Sequence, residues 1–195
     1  MGLFVLTGTP GTGKSTLADR LEREGFFILR INDIVSEFRL WSKKEKGSKV
    51  ADLRGLKRKI MSLVRDNRGK NIVVEGHLAC EFKLPADFCV VLRSDPRILM
   101  KRMAGRGYGT EKISENLQAE LLDYCTQLSE RNYSCPVYEL DTSFSVSKSS
   151  KALLKIMALG QNRKKNRKKL EKHLPGRIDW SSRAKDRKLE GMLTR

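Results

Sequence analysis

Five short apolar runs punctuate the chain, and the stretches between them repeat their apolar residues every three or four positions. Leu3-Phe4-Val5-Leu6-Thr7, Phe26-Phe27-Ile28-Leu29-Arg30, Asn71-Ile72-Val73-Val74-Glu75, Phe88-Cys89-Val90-Val91-Leu92-Arg93 and Pro136-Val137-Tyr138-Glu139-Leu140 each read as a buried strand. Leu17 and Leu21 stand four apart after the first run, as one apolar helix stripe requires. Asn32-Asp33 opens a helical run through Ile34, Val35, Phe38 and Leu40, and Asp52 to Asp66 predicts another helix. Residues 41–50 are polar and read as a mobile loop. Asp95-Pro96 starts a helix, with Asp95 as cap and proline in the first turn. It carries Ile98, Leu99 and Met103 and ends at Gly105-Arg106-Gly107-Tyr108-Gly109. One long helix is predicted from Ile113 to Leu128, and a closing one from Val146 to Leu159. Alternation of strand and helix implies an α/β fold, a parallel sheet flanked by helices, with its site at the carboxyl ends of the strands.

The first strand runs straight into Gly8-Thr9-Pro10-Gly11-Thr12-Gly13-Lys14-Ser15-Thr16, which fits G-x-x-x-x-G-K-[ST] throughout. Strand, glycine loop and helix are the context a phosphate-binding loop needs. Glycines allow successive backbone N–H groups to converge on one anion, and the helix N-terminus adds partial positive charge. Lys14 would reach the β- and γ-phosphates of ATP, Ser15 would hold Mg²⁺, and Thr16 would face the α-phosphate. The dinucleotide pattern G-x-G-x-x-G is excluded by the spacing Gly8, Gly11, Gly13.

Composition sharpens this picture. The 195 residues allow one domain of about 160 residues plus an appendage, with 39% hydrophobic and 32% charged positions. No apolar run approaches the length of a membrane span, and the first apolar stretch is too short for a signal peptide; a cytoplasmic protein is expected. Cys80, Cys89, Cys125 and Cys135 lack C-x-x-C spacing, and His77 and His173 complete no zinc pattern, so four reduced, mostly core thiols are expected. The formal net charge is +17, and residues 161–195 hold 13 Lys/Arg against 4 Asp/Glu. A polyanionic partner, RNA or a ribonucleoprotein, suits this basic tail, which reads as an extended or partly helical arm. Trp180 is either packed back on the body or a contact for that partner.

Glu75 closes a hydrophobic strand, where a second carboxylate of a phosphoryl-transfer site would hold Mg²⁺ or orient water. His77, two residues on, could position water or phosphate. Arg93, Arg97, Arg102 and Arg106 lie on or beside one helix near the expected site, and planar guanidinium forks suit developing phosphoryl charge. Arg106 borders a glycine-flanked segment, as a lid arginine would.

The glycine loop, Val73-Val74-Glu75-Gly76-His77, Val91-Leu92-Arg93-Ser94-Asp95-Pro96, Arg102-Met103-Ala104-Gly105-Arg106-Gly107-Tyr108 and Lys112-Ile113-Ser114-Glu115-Asn116-Leu117-Gln118-Ala119-Glu120 together resemble nucleoside monophosphate kinases. The match is to the small adenylate kinase isoenzyme 6 family and its archaeal relatives, over residues 1–160. The resemblance implies a P-loop monophosphate-kinase domain at 1–160, a small monophosphate-binding insert at about 31–54, a short lid at about 105–115, and outside them a basic extension at 161–195. It implies a catalytic set of Lys14, Glu75, His77 and Arg106. It implies ATP contacts at Gly11, Thr12, Gly13, Lys14, Ser15, Thr16, Arg102 and Arg106, adenine near Asp141–Ser145 with Phe144, and Mg²⁺ on Ser15 and Glu75. The implied activity is transfer of the γ-phosphoryl group of ATP to AMP or a related monophosphate, with ATP hydrolysis. The implied partners are a small-subunit platform ribosomal protein and rRNA, in late ribosome maturation. Two alternatives stand beside it: a ribosome-assembly ATPase switch with little kinase activity, and another small-molecule P-loop kinase.

Overall fold

The computed structural model describes residues 1–45, 48–186, 189 and 191, with the backbone alone for 42–45, 48 and 49. Five strands form one parallel sheet: β1 (Leu3–Gly8), β2 (Phe27–Arg30), β5 (Ile72–Glu75), β6 (Phe88–Arg93) and β7 (Val137–Asp141). Their spatial order is β2-β5-β1-β6-β7, so the strand that carries the glycine loop lies at the centre. All five expected strands form, within a residue or so at their ends.

Side-chain alternation builds two cores from the same strands. Leu3, Val5, Ile72, Val74, Cys89 and Val91 face one side. Ile31 and Ile34 of α2 (Ile31–Glu37) pack there, with Leu56 and Ile60 of α3 (Leu53–Asp66) and Cys125 of α6 (Tyr124–Asn132). Phe4, Leu6, Val73, Phe88, Val90 and Leu92 face the other side. They meet Leu17 and Leu21 of α1 (Lys14–Arg23) and Leu153, Ile156 and Met157 of α7 (Val146–Gln161). These strands therefore read as continuous apolar runs, because both faces are covered.

The expected cap forms at Asp95, and Asp52, expected as the first helical residue, adds a second. Asp52 accepts from Arg54 N and Gly55 N at the start of α3, and Asp95 accepts from Arg97 N before α4 (Pro96–Ala104).

Two elements correct the sequence reading. Residues 41–50 are not a loop throughout: β3 (Trp41–Glu45) and β4 (Ser48–Ala51) pair as an antiparallel ribbon, and positions 46 and 47 lie outside the described residues. Lysines mask strand propensity there, since a two-stranded ribbon needs no buried apolar face to satisfy its backbone. The predicted long helix is two, α5 (Thr110–Leu121) and α6. Asp123 breaks it with a left-handed φ of 52°, which carries its carboxylate to the buried Arg93 guanidinium.

Beyond α7 the chain continues as α8 (Arg163–Leu170), kinked at Asn166, followed by short 3₁₀ turns at Glu171–His173 and Ser181–Lys185. Leu170 is buried in the second core, and Leu189 is buried among Leu99, Met103, Ile113 and Leu117. Trp180 is half-buried. The basic segment has few aliphatics of its own and uses apolar surface supplied by the body.

Candidate active site

Gly8 lies so close to β6 that a Cβ there would stand 2.4 Å from Leu92 O, and its φ is 141°. Gly11 has φ 93° and faces Leu99 Cδ1 and Met103 Cγ, so the loop passes directly over α4. Thr12 Oγ1 and N both reach Thr9 O, at 2.8 and 3.2 Å, which closes the turn. Lys14 folds back into that turn and donates to Gly8 O at 2.8 Å and Thr9 O at 3.1 Å. Burial lowers its pKa against the pull of nearby acidic groups. Among the described residues, the hydrogen-bond partners of this buried ammonium are two carbonyls and no carboxylate, which leaves it poised for an anion.

Ser15, exposed at the first turn of α1, donates to Glu75 Oε1 at 3.4 Å. Glu75 is 6 % exposed at the end of β5, and burial pushes its carboxyl above the usual range, opposed by Lys14 and Ser15. A hydroxyl and a carboxylate at one strand end are hard oxygen donors. They fit Mg²⁺, which binds through few protein ligands plus water and phosphate.

On the other side of the loop a cleft of about 160 Å³ is lined by Gly11, Gly13, Thr16, Arg102, Arg106 and Phe144, with Thr12 behind them. Arg102 is held by Thr142 O at 2.7 Å and Ser94 Oγ at 3.4 Å. Its pKa is lowered by burial and by Arg106, so the two guanidinium groups repel across the cleft and favour an anion between them. Phe144 is 53 % exposed, and Lys148 Nζ lies 3.9 Å from its ring centroid.

Most residues named from sequence thus converge at the carboxyl ends of β1, β5 and β7. His77 stands apart from the cleft, beneath the loop, with Nδ1 3.3 Å from Gly8 O and its ring stacked on Tyr124. Arg93 does not serve as a free phosphate ligand. It is fully buried and bound to Glu120, Asp123 and Glu139. Arg97 pairs with Asp95 away from the cleft.

The sequence reading missed Glu120, which accepts from Arg93 Nε at 2.9 Å, Ser94 N at 3.0 Å and Thr9 Oγ1 at 2.5 Å. This one carboxylate ties the glycine loop to the sheet edge. It placed Thr142 only in the adenine stretch and missed its linking role: the hydroxyl oxygen lies 2.8 Å from both Thr12 O and Arg93 O. It also missed the meeting of His77, Cys80 and Cys125. Their ligand atoms all lie within 4.8 Å of one another.

A family model described as an AAA domain matches residues 5–123. A protein of Archaeoglobus fulgidus named "Putative adenylate kinase" is 35% identical over 186 residues, covering 95% of each chain. The chain belongs to this archaeal-type adenylate kinase family. A Methanosarcina mazei member of the same name is 32% identical, with 91% of this chain and 97% of its own covered. Among solved structures, TT1252 from Thermus thermophilus aligns with a TM-score of 0.58 at 16% identity, over 80% of this chain and 96% of its own. Deoxyadenosine kinase from M. mycoides with bound dATP aligns with a TM-score of 0.51 at 14% identity, over 80% and 99%. These two likenesses show the shared fold, a helix-flanked P-loop sheet of the monophosphate-kinase type.

Proposed function

We propose that the chain is an ATP-dependent nucleoside monophosphate kinase of the adenylate type. The observation that carries this reading is the convergence of three features on one loop: the buried Lys14 ammonium, the Ser15–Glu75 oxygen pair and the Arg102/Arg106 cleft.

The triphosphate lies on the loop, with the amides of Gly11, Thr12 and Gly13 around the β-phosphate and Thr16 toward the α-phosphate. Lys14 leaves the Gly8 and Thr9 carbonyls and turns onto the β- and γ-phosphates. Adenine sits against Phe144. Ser15 and Glu75 would hold Mg²⁺, which when bound neutralises phosphate charge. An acceptor phosphate oxygen held by the insert at 31–54 attacks the γ-phosphorus in line, and the bond to the β–γ bridging oxygen breaks. Lys14, Arg102 and Arg106 stabilise the equatorial oxygens as charge spreads onto them. The lid at 105–115 closes over the cleft and excludes water. His77 positions the loop through Gly8 O. In this division the catalytic domain is 1–160, and 161–195 is a basic extension acting in the cytoplasm.

The extension supports a second reading: an ATP hydrolysis cycle that times contact with rRNA and a small-subunit ribosomal protein. Residues 161–195 carry a net charge of +9, more than the whole remaining body. ATP consumption with and without AMP separates the two. Strong AMP dependence with ADP as product supports the kinase. Hydrolysis indifferent to AMP and raised by RNA supports the switch. Turnover only with an unrelated phosphate acceptor points to another small-molecule kinase.

A further inference from the structure

We propose that His77, Cys80 and Cys125 form a binding site for a thiophilic divalent cation of the zinc class, beneath the phosphate-binding loop. Among the described residues, this is the one group of three metal-ligating side chains whose donor atoms lie within 4.8 Å of each other. Cys80 lies three residues beyond His77 in the 3₁₀ turn His77–Glu81, and α6 brings Cys125 to them from another part of the chain.

The spacing suits the ion. Zinc holds sulfur at about 2.3 Å and nitrogen at about 2.0–2.1 Å, so a tetrahedron has edges of about 3.6 Å for sulfur–nitrogen and about 3.8 Å for sulfur–sulfur. Cys125 Sγ is already 3.6 Å from His77 Nδ1. With every pair inside 4.8 Å, no edge must shorten by more than about 1.2 Å to reach these values.

The chemistry suits it as well. Two thiolates and an imidazole are soft ligands that discriminate against Mg²⁺ and favour zinc-class ions. Uptake releases two thiol protons, one from each cysteine, and the dication, two thiolates and neutral imidazole sum to zero charge. A neutral cluster avoids the large penalty of an unpaired buried charge. The Cys80 thiol beside it and burial push the Cys125 thiol well above its ordinary value, so the metal must displace that proton as it binds. Three protein ligands leave a fourth position for water. His77 is half-exposed, which gives the ion a path to the two buried sulfurs.

At rest Nδ1 contacts Gly8 O, which Lys14 also uses. A metal on Nδ1 replaces that contact, so occupancy reaches the glycine loop. Uptake itself needs neither nucleotide nor turnover.

The test is titration of the full, phosphine-reduced chain with Co²⁺, followed by displacement with Zn²⁺. One equivalent of Co²⁺ should give thiolate charge-transfer absorption and the ligand-field bands of a tetrahedral ion, both erased by Zn²⁺. The bands should vanish in C80A and C125A and persist in C89A. In the same wild-type protein, Zn²⁺ should protect Cys80 and Cys125 from alkylation, read by mass spectrometry. Absence of charge-transfer absorption in the folded wild type would overturn the proposal. So would unchanged alkylation of both cysteines at saturating Zn²⁺, an outcome that does not depend on how the variants fold.

Discussion

Replacing Glu120 with alanine tests whether one buried carboxylate holds the phosphate loop on its scaffold. Glu120 is 1 % exposed and accepts from Arg93 Nε, Ser94 N and Thr9 Oγ1. The substitution leaves Arg93 with Glu139 and Asp123, so the cation is not stranded, and the full penalty of about 3–5 kcal/mol for breaking a buried pair is an upper limit. What remains without a partner is the Ser94 amide and the Arg93 Nε–H, and Thr9 loses its carboxylate acceptor. Each unsatisfied buried group costs about 1–3 kcal/mol. The expected loss is about 3 kcal/mol, or a fall in Tm of about 6–12 °C for a domain of this size. Glu120→Gln keeps an oxygen for Ser94 and Arg93 and offers its amide to Thr9, so it should cost about 1 kcal/mol. Urea denaturation of the three proteins measures the stability, and a fluorescent ATP analogue measures the loop. Glu120→Ala should also weaken nucleotide binding, because Thr9, which Glu120 holds, closes the turn of the phosphate loop with Thr12. Wild-type stability in Glu120→Ala would refute the reasoning, as would an undiminished affinity.

Four further perturbations follow from the same geometry. Glu75→Gln should raise stability at pH 7 without Mg²⁺ and remove any Mg²⁺-dependent gain in Tm. Burial holds the Glu75 carboxyl above the usual range, so its stabilising contribution is complete below about pH 4 and is lost as pH rises through the folded-state value. The variant should lack that pH slope in thermal melts from pH 4 to 8. Gly11→Ala forces a side chain to φ 93° with its Cβ 2.7 Å from Leu99 Cδ1, and calorimetric melting should show a loss of about 1–3 kcal/mol. Leu170→Ala empties a fully packed seat and should cost about 2–3 kcal/mol in urea titrations. Ending the chain at Gly160 should lower Tm and flatten the salt dependence of RNA binding; an unchanged salt slope would limit the extension to a packing role.

The parallel sheet and the glycine loop were legible because both are local patterns. A strand buried on two faces is a continuous apolar run, and the loop's chemistry is fixed by residues within one turn of each other. Ser15, Glu75, Arg102 and Arg106 could be placed near one end of the sheet because each sits at the end of a readable element, whereas Phe144 came from the resemblance alone. The contacts that no local pattern carries were not legible. Arg93 looked like its neighbours Arg102 and Arg106, yet it is the last residue of a buried strand, so its side chain must find carboxylates inside the protein. Those come from 27, 30 and 46 residues away. Leu122-Asp123 carries no glycine or proline, so nothing marked the break between α5 and α6. Cys125 meets His77 across 48 residues, a separation that spacing rules for metal ligands do not read. The lysines of β3 and β4 hid a ribbon whose pairing is set by backbone geometry.

The central claim is that the first glycine loop grips a triphosphate through Lys14. Calorimetric titration of Mg-ATP into the wild type and into Lys14→Ala tests it directly. The wild type should bind one equivalent, and the variant, still folded by circular dichroism, should show at least a hundredfold weaker binding, about 2.7 kcal/mol. Equal heats in the two proteins, or none in the wild type, would contradict it.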